Sequence, residues 1–204
     1  MSKQIILIGG MPAAGKSTVA ENLSKQLNLP WFSTDQVGQI MREVATREIH
    51  PELFTWEDYD DMNYLNEYSA DQIADNEFAK AESVWPGVRK LVKDDYTWHK
   101  GFIIEGDDIL PHLVARDFPE SKNVKAVFIG DHDIDRVRNV VFTRNFEVKN
   151  ANVYADSLKE KEVEWVLNFS KKLKEQVLKL GFPWVEVNKN DRDLDMVLDA
   201  LGIV

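Results

Sequence analysis

The sequence predicts an α/β domain in which a parallel sheet is wound on both faces by helices. Three observations predict it: short β-branched apolar runs, helical periodicities between those runs, and a glycine-rich loop directly after the first. Ile5-Ile6-Leu7-Ile8 is a continuous apolar run, the pattern of a strand buried on both faces. Similar runs recur at Trp31–Thr34, Gly101–Ile104, Val124–Ile129 and Trp184–Val187. Between them Val19, Leu23 and Leu27 follow a helical period, as do Val163, Val166, Leu167, Leu173 and Val177 before the stop signal Gly181-Phe182-Pro183. Strands alternating with helices imply right-handed crossovers, hence a doubly wound sheet. A chain of 204 residues suffices for one such domain with a full core.

Composition narrows the function classes. Twenty-five basic against thirty-five acidic side chains leave a formal charge of −10, which opposes attraction to nucleic-acid backbones and anionic lipid. No cysteine is present, which removes disulfides, thiolate metal sites and thiol nucleophiles. The apolar run near the N-terminus is too short for a signal segment, and no window approaches a membrane span. The expectation is a cytoplasmic protein that binds neither nucleic acid nor membrane. Composition does not bear on its oligomeric state.

The interval between the second and third strands, residues 47–100, breaks the simple alternation. It is rich in acidic and aromatic residues (HPELFTWEDYDDMNYLNEY), and Ser69–Tyr96 reads as helices with a break or a new start at Pro86-Gly87. Read locally, it is a helical insertion with a solvated acidic face. Its position beyond the carboxyl ends of the strands also makes it the candidate acceptor-recognition segment.

Gly10-Met11-Pro12-Ala13-Ala14-Gly15-Lys16-Ser17 fits GxxxxGK[ST] at every fixed position, between the first strand and a helix. Glycines allow a tight turn whose N–H groups point inward at phosphate oxygens, and the following helix adds its positive end. In that arrangement Lys16 reaches the β- and γ-phosphates, the Ser17 hydroxyl coordinates Mg²⁺, and Thr18 contacts the α-phosphate. The loop predicts nucleoside-triphosphate binding, with Gly10, Met11, Ala13, Ala14, Gly15, Lys16, Ser17 and Thr18 as the cradle.

Further carboxylates and arginines point from binding to phosphoryl transfer. Asp35, in Ser33-Thr34-Asp35 at the end of the second strand, is placed to accept the proton of an attacking hydroxyl; Thr34 or Asp35 is equally suited to cap the next helix. The third strand ends in IIEGDD, where Glu105, Asp107 and Asp108 leave the sheet together and one of them anchors hydrated metal, Glu105 standing nearest the strand. Arg136 and Arg144 lie two helical turns apart in a lid region, residues 136–156, that would neutralise the transferring group; ion pairing of Arg136 and Arg138 with nearby aspartates is the structural alternative.

With the phosphate loop, the STD stretch followed seven residues later by Arg42, the IIEGDDILP stretch and the arginine-bearing lid, the chain resembles the phosphate-loop metabolite kinases, in particular 2-phosphoglycerate kinase-like proteins. Shikimate, gluconate, adenylate and zeta-toxin kinases are similar at greater distance. The resemblance implies a single three-layer kinase domain over residues 1–204, a five-stranded parallel sheet in the order 2-3-1-4-5, and ATP·Mg²⁺ as donor. It also implies adenine between the lid and the loop near Asn188–Arg192, and a small-molecule acceptor near Asp35, Arg42, Glu105 and Asp107. The chain departs from the group at Leu53–Tyr68, which offers no cluster of cations for a phosphorylated acceptor.

Two other functions fit the same residues. A nucleoside monophosphate kinase would need Arg42, Arg47 and Arg89 to converge on the acceptor. A nucleotide-dependent regulatory module would hydrolyse slowly and signal through the lid. A guanine-binding variant of the latter is raised by Asn188-Lys189-Asn190-Asp191, which comes close to an NKxD motif.

Overall fold

The computed structural model describes residues 3–55, 61–94, 96–119, 121–143, 155–188 and 192–203. Five strands, β1 (Gln4–Gly10), β2 (Trp31–Ser33), β3 (Gly101–Glu105), β4 (Val124–Gly130) and β5 (Trp184–Glu186), form one sheet in the order β2-β3-β1-β4-β5. Every neighbouring pair is parallel; Ile6, for example, faces Ile103 on one side and Lys125 on the other. The central strands are fully covered, with Ile6, Leu7, Ile8, Ile103, Ile104 and Phe128 inaccessible to water. Each such side chain contributes about 1.5–3 kcal/mol of burial. The continuous apolar runs therefore do what their lack of alternation predicts.

The helices are α1 (Lys16–Leu27), α2 (Thr34–Val44), α3 (Asp61–Glu67), α4 (Ala70–Asp94), α5 (Pro111–Asp117), α6 (Ile134–Thr143), α7 (Asp156–Lys179) and α8 (Arg192–Leu201). Right-handed crossovers send α1 to one face and the later connections to the other. Accordingly α1 packs with α8, whereas α4 packs with α2, α5 and α7. The strands all point their carboxyl ends to one edge, so the phosphate loop, the start of α2 and the segment after β3 meet there.

Two expectations need correction. The residue that caps α2 is Ser33, not Thr34 or Asp35: its hydroxyl accepts from the Asp35 N–H at 3.1 Å, and Gln36 Oε1 accepts from the Ser33 N–H at 3.1 Å. The strand stops one residue early and the reciprocal capping box takes over. Nor does Pro86 break the insertion, since α4 runs through it for 25 residues. A mid-helix proline costs about 3 kcal/mol, but Ala81, Val84, Trp85, Val88 and Val92 on either side are buried and outweigh it. Trp85 Nε1 also donates to Asp117 Oδ2 on α5 at 2.7 Å, fixing the helix where the proline sits.

Candidate active site

Gly15 stands at the head of α1 with φ +87°, and no side chain caps the helix. A Cβ on Gly15 would meet nothing within 4 Å, so the first N–H groups of α1 face an open cradle. Unsatisfied donors at a helix N-terminus fit an anion. Ala13 also adopts a left-handed conformation, φ +66°, which folds the loop back over itself. Beneath the loop Met11 is fully buried, and its Sδ accepts from the Asp131 N–H at 3.2 Å. Met11 thus anchors the loop by its side chain, and Gly10, whose N-terminal neighbours are β1, continues the strand into it.

Lys16 is 8% exposed; its ammonium donates to the Met11 carbonyl at 3.0 Å and pairs with Asp107. Ser17 Oγ donates to Glu105 Oε1 at 3.1 Å. A hydroxyl and one carboxylate, completed by phosphate oxygens and water, are the donor set Mg²⁺ takes in phosphoryl-transfer sites. Among the described residues no group of three or more acidic or histidine side chains forms a cation cage, so a metal here depends on donors from the nucleotide. The residues present therefore fit a metal–nucleotide pair.

A cavity of about 760 Å³ opens from this cradle. Ala13, Ala14, Gly15, Lys16, Ser17 and Thr18 form its floor, and Asn22, Val140, Asp193 and Leu194 its far wall. Those last four were not foreseen. Asn22 follows from its position on α1, but Asp193 and Leu194 reach the cavity because α8 packs against α1, and Val140 comes from α6. Asn188 touches the same end through its backbone, which donates to Asp193 Oδ1 at 3.0 Å. Arg192 opens α8, while residues 189–191 of the NKND stretch lie outside the described residues.

Arg136 is held by acids at the end of β4. It makes a bidentate pair with Asp131 (3.0 and 2.7 Å), a bond to Asp133 (2.9 Å) and one to Asn188 Oδ1 (3.3 Å). Arg138 pairs with Glu160 at 3.0 Å. The ion-pair alternative thus describes both arginines as they stand. Arg144 lies outside the described residues, as does the segment 144–154 of the lid region.

On the acceptor side a second cavity, about 270 Å³, is lined by Asp35, Gly38, Gln39, Arg42, Leu53, Lys80, Val84 and Asp108. Asp35 faces this open pocket. Crowding by surrounding protein raises its pKa, as do Asp107 and Asp108, against the pull of Lys80 and Lys16. Glu105 is also raised, first by burial, with Lys16 and Ser17 opposing. Lys80 comes from α4, 45 residues beyond Asp35, and sequence reasoning missed it. Burial opposes its charge, yet Glu77, Asp108 and Asp107 hold its pKa well above the ordinary lysine value. Arg42 donates to the Leu53 carbonyl at 3.4 Å in the pocket wall. The three arginines weighed for a monophosphate acceptor diverge: Arg47 lies over the Phe54 ring, and Arg89 faces Asp117 at 3.8 Å.

Residues 9–107, from the phosphate loop through Asp107, match a family described as AAA domain. A 2-phosphoglycerate kinase of Methanothermobacter thermautotrophicus is 28% identical over 128 residues, 61% of this chain and 42% of that protein. A mevalonate-3-phosphate 5-kinase of Thermoplasma acidophilum is 23% identical over 139 residues, 68% of this chain and 67% of that protein. In sequence the chain is similar to these metabolite kinases. It spans about two fifths of the length of the 2-phosphoglycerate kinases it matches. A solved shikimate kinase from Bacteroides thetaiotaomicron aligns over 98% of each chain with a TM-score of 0.60 at 13% identity, so the two share a fold over nearly the whole chain. This chain has the sheet order that its resemblance implies, β2-β3-β1-β4-β5. Among the described residues no helix is long and apolar enough to cross a membrane.

Proposed function

We propose that this chain is an ATP- and Mg²⁺-dependent phosphotransferase that moves the γ-phosphoryl group to a hydroxyl of a small metabolite. The observation that carries the reading is the coupling of two cavities through one set of charges. The larger is built on helix N–H groups and Lys16, the smaller holds Asp35, and Lys16 and Asp107, paired with each other, both act on the Asp35 carboxylate.

Bound ATP·Mg²⁺ supplies the phosphoryl group and leaves as ADP. The loop N–H groups of residues 13–18 orient the phosphates, and Lys16 exchanges Asp107 for phosphate oxygen, countering charge that develops during transfer. Ser17 and Glu105 would hold the Mg²⁺, which polarises the phosphates of the donor. Asp35 accepts the hydroxyl proton of the acceptor; its raised pKa makes it a better base than an ordinary carboxylate. Because Ser33 caps α2, the Asp35 carboxylate is available for that role. Arg136 and Arg144 belong to the lid region 136–156 and would counter charge on the transferring group. Asn188 and Arg192 border the adenine, and residues 47–100 form the acceptor side of a single domain. The expected setting is the cytoplasm.

The test is a screen of hydroxyl and phosphate acceptors for stimulated ADP release, with ATP and GTP compared and Lys16→Ala as control. Acceptor-stimulated release from ATP that vanishes in Lys16→Ala supports the reading. Hydrolysis that no acceptor accelerates would point to the regulatory module, and stimulation by nucleoside monophosphates alone to a nucleotide kinase.

A further inference from the structure

Two cations line the acceptor pocket, Arg42 and Lys80. Arg42 donates to the Leu53 carbonyl in the wall, and the more deeply placed Lys80 is taken up by carboxylates. Lys80 Nζ is bonded to Glu77 Oε2 at 2.6 Å, one turn earlier on α4, and Glu77 is 5% exposed. The opposite wall adds Asp35 and Asp108, with Asp107 next along the chain. Among the described residues, three carboxylates (Glu77, Asp107 and Asp108) act on the single ammonium of Lys80. An acceptor carrying a carboxylate or phosphate would enter a field of like charge, and to reach Lys80 it would have to displace Glu77 from a site closed to water.

A second observation points to what the pocket takes instead. Asp108 is 2% exposed and lines the cavity, and its Oδ1 accepts no hydrogen bond of normal geometry among the described residues; Lys80 Nζ stands 3.7 Å away, and the Thr34 hydroxyl, itself buried without a partner of normal geometry, lies close enough to act on the carboxyl. A buried carboxylate oxygen without a donor is costly unless something supplies one. Hydroxyl groups supply donors without adding charge. The cavity, at about 270 Å³, lies just below the usual range of small-molecule sites, roughly 300–1,000 Å³, and so suits a compact acceptor.

We propose that the acceptor is an uncharged polyol, that one of its hydroxyls donates to Asp108 while another faces Asp35, and that Glu77 excludes anionic acceptors by occupying Lys80. Charge selection at this pocket rests on the phosphotransferase reading only in calling the ligand an acceptor. In consequence Glu77 is a specificity residue, Asp108 a binding residue, and Lys80 a cation held in reserve.

The test uses a series with one skeleton: glucitol, gluconate and glucitol 6-phosphate. Each is titrated calorimetrically into the protein saturated with Mg²⁺ and a non-hydrolysable ATP analogue. Wild type is expected to bind glucitol at least tenfold more tightly than either anion. Glu77→Gln keeps the shape of the side chain while releasing Lys80, and should tighten the two anions at least tenfold; Glu77→Gln combined with Lys80→Met should lose that gain. Asp108→Asn, checked for an intact melting transition, should weaken glucitol at least tenfold and gives a second reading if Glu77→Gln fails to fold. Tighter binding of an anion by wild type, absence of glucitol binding, or anion affinity unmoved in Glu77→Gln overturns the proposal. ADP release is measured separately: selective glucitol binding without release would sink the phosphotransferase reading alone, whereas release with gluconate preferred would sink the charge selection alone.

Discussion

The nucleotide-side cleft and the acceptor-side pocket are coupled through the charges of Lys16 and Asp107, which act on Asp35, but are built on different principles. The floor of the cleft comes from six consecutive residues, 13–18, and its chemistry is mainly backbone: open N–H groups at the head of α1 and a glycine at φ +87°. The pocket gathers side chains from α2, Leu53, α4 and the segment after β3, and its chemistry is the placement of charge. A backbone cradle reads what all nucleoside triphosphates share. A constellation of charged side chains reads what one acceptor has and another lacks, so substitutions should affect the two sites in different ways.

The largest effect should follow from Lys16→Ala. Removing a cation that counters charge in the transition state typically costs about 10²–10³-fold in turnover, and steady-state ADP release with circular dichroism as a fold check measures it. A folded variant with normal turnover would break the assignment of the cleft. Next, Asp35→Asn should lower transfer to a hydroxyl by about a hundredfold, the scale for losing a general base, while ATP affinity stays near normal. The capping box of α2 uses Ser33 and Gln36, so this substitution leaves the helix start untouched. Equal losses of ATP affinity and turnover would erase the division between the two sites.

Smaller effects sharpen it. Ser17→Ala should raise the Mg²⁺ concentration needed for half-maximal turnover by about tenfold, with little change in acceptor KM; an altered acceptor KM instead would argue that the metal side and acceptor side are not separable. The smallest expected change is in stability. Burial lifts the pKa of Asp108 above its ordinary value of 3.8, with Lys80 opposing, so the folded protein holds that proton more tightly than the unfolded chain. The stability linked to that proton is full below pH 3.8 and is lost as pH rises through the folded value. Asp108→Asn mimics the protonated form and should therefore melt higher than wild type at pH 7, with the gap closing towards pH 4. Scanning calorimetry at several pH values checks this, and a gap that widens on acidification would contradict it.

How far each site was legible follows from the same contrast. The phosphate loop is a local arrangement: strand, glycines, lysine and helix occupy adjacent positions, so spacing alone carries the geometry. The sheet was legible for a related reason, since strands buried on both faces must be apolar at every position, as Ile5–Ile8 are. Glu105 was readable because it ends β3 at the functional edge, and Asp35 because it lies in the first turn of the helix directly after β2. Lys80 and Glu77 sit inside α4, where an ordinary i, i+3 ion pair looks like any exposed one; only the packing of α4 against α2, with Asp108 beneath, turns it into a pocket wall. Arg136 shows the converse. Its helical spacing from Arg144 suggested a shared face, while Asp131 and Asp133, just before α6, hold it by bonds that a periodicity argument does not weigh.

The most direct test of the central claim is the mass of the acceptor itself. Glucitol incubated with wild-type protein and ATP·Mg²⁺ should gain one phosphoryl group on oxygen in step with ADP formation, and should stay unmodified when Lys16→Ala or Asp35→Asn replaces wild type. ATP turned over to ADP and free phosphate by wild type, with glucitol unchanged, would contradict the account.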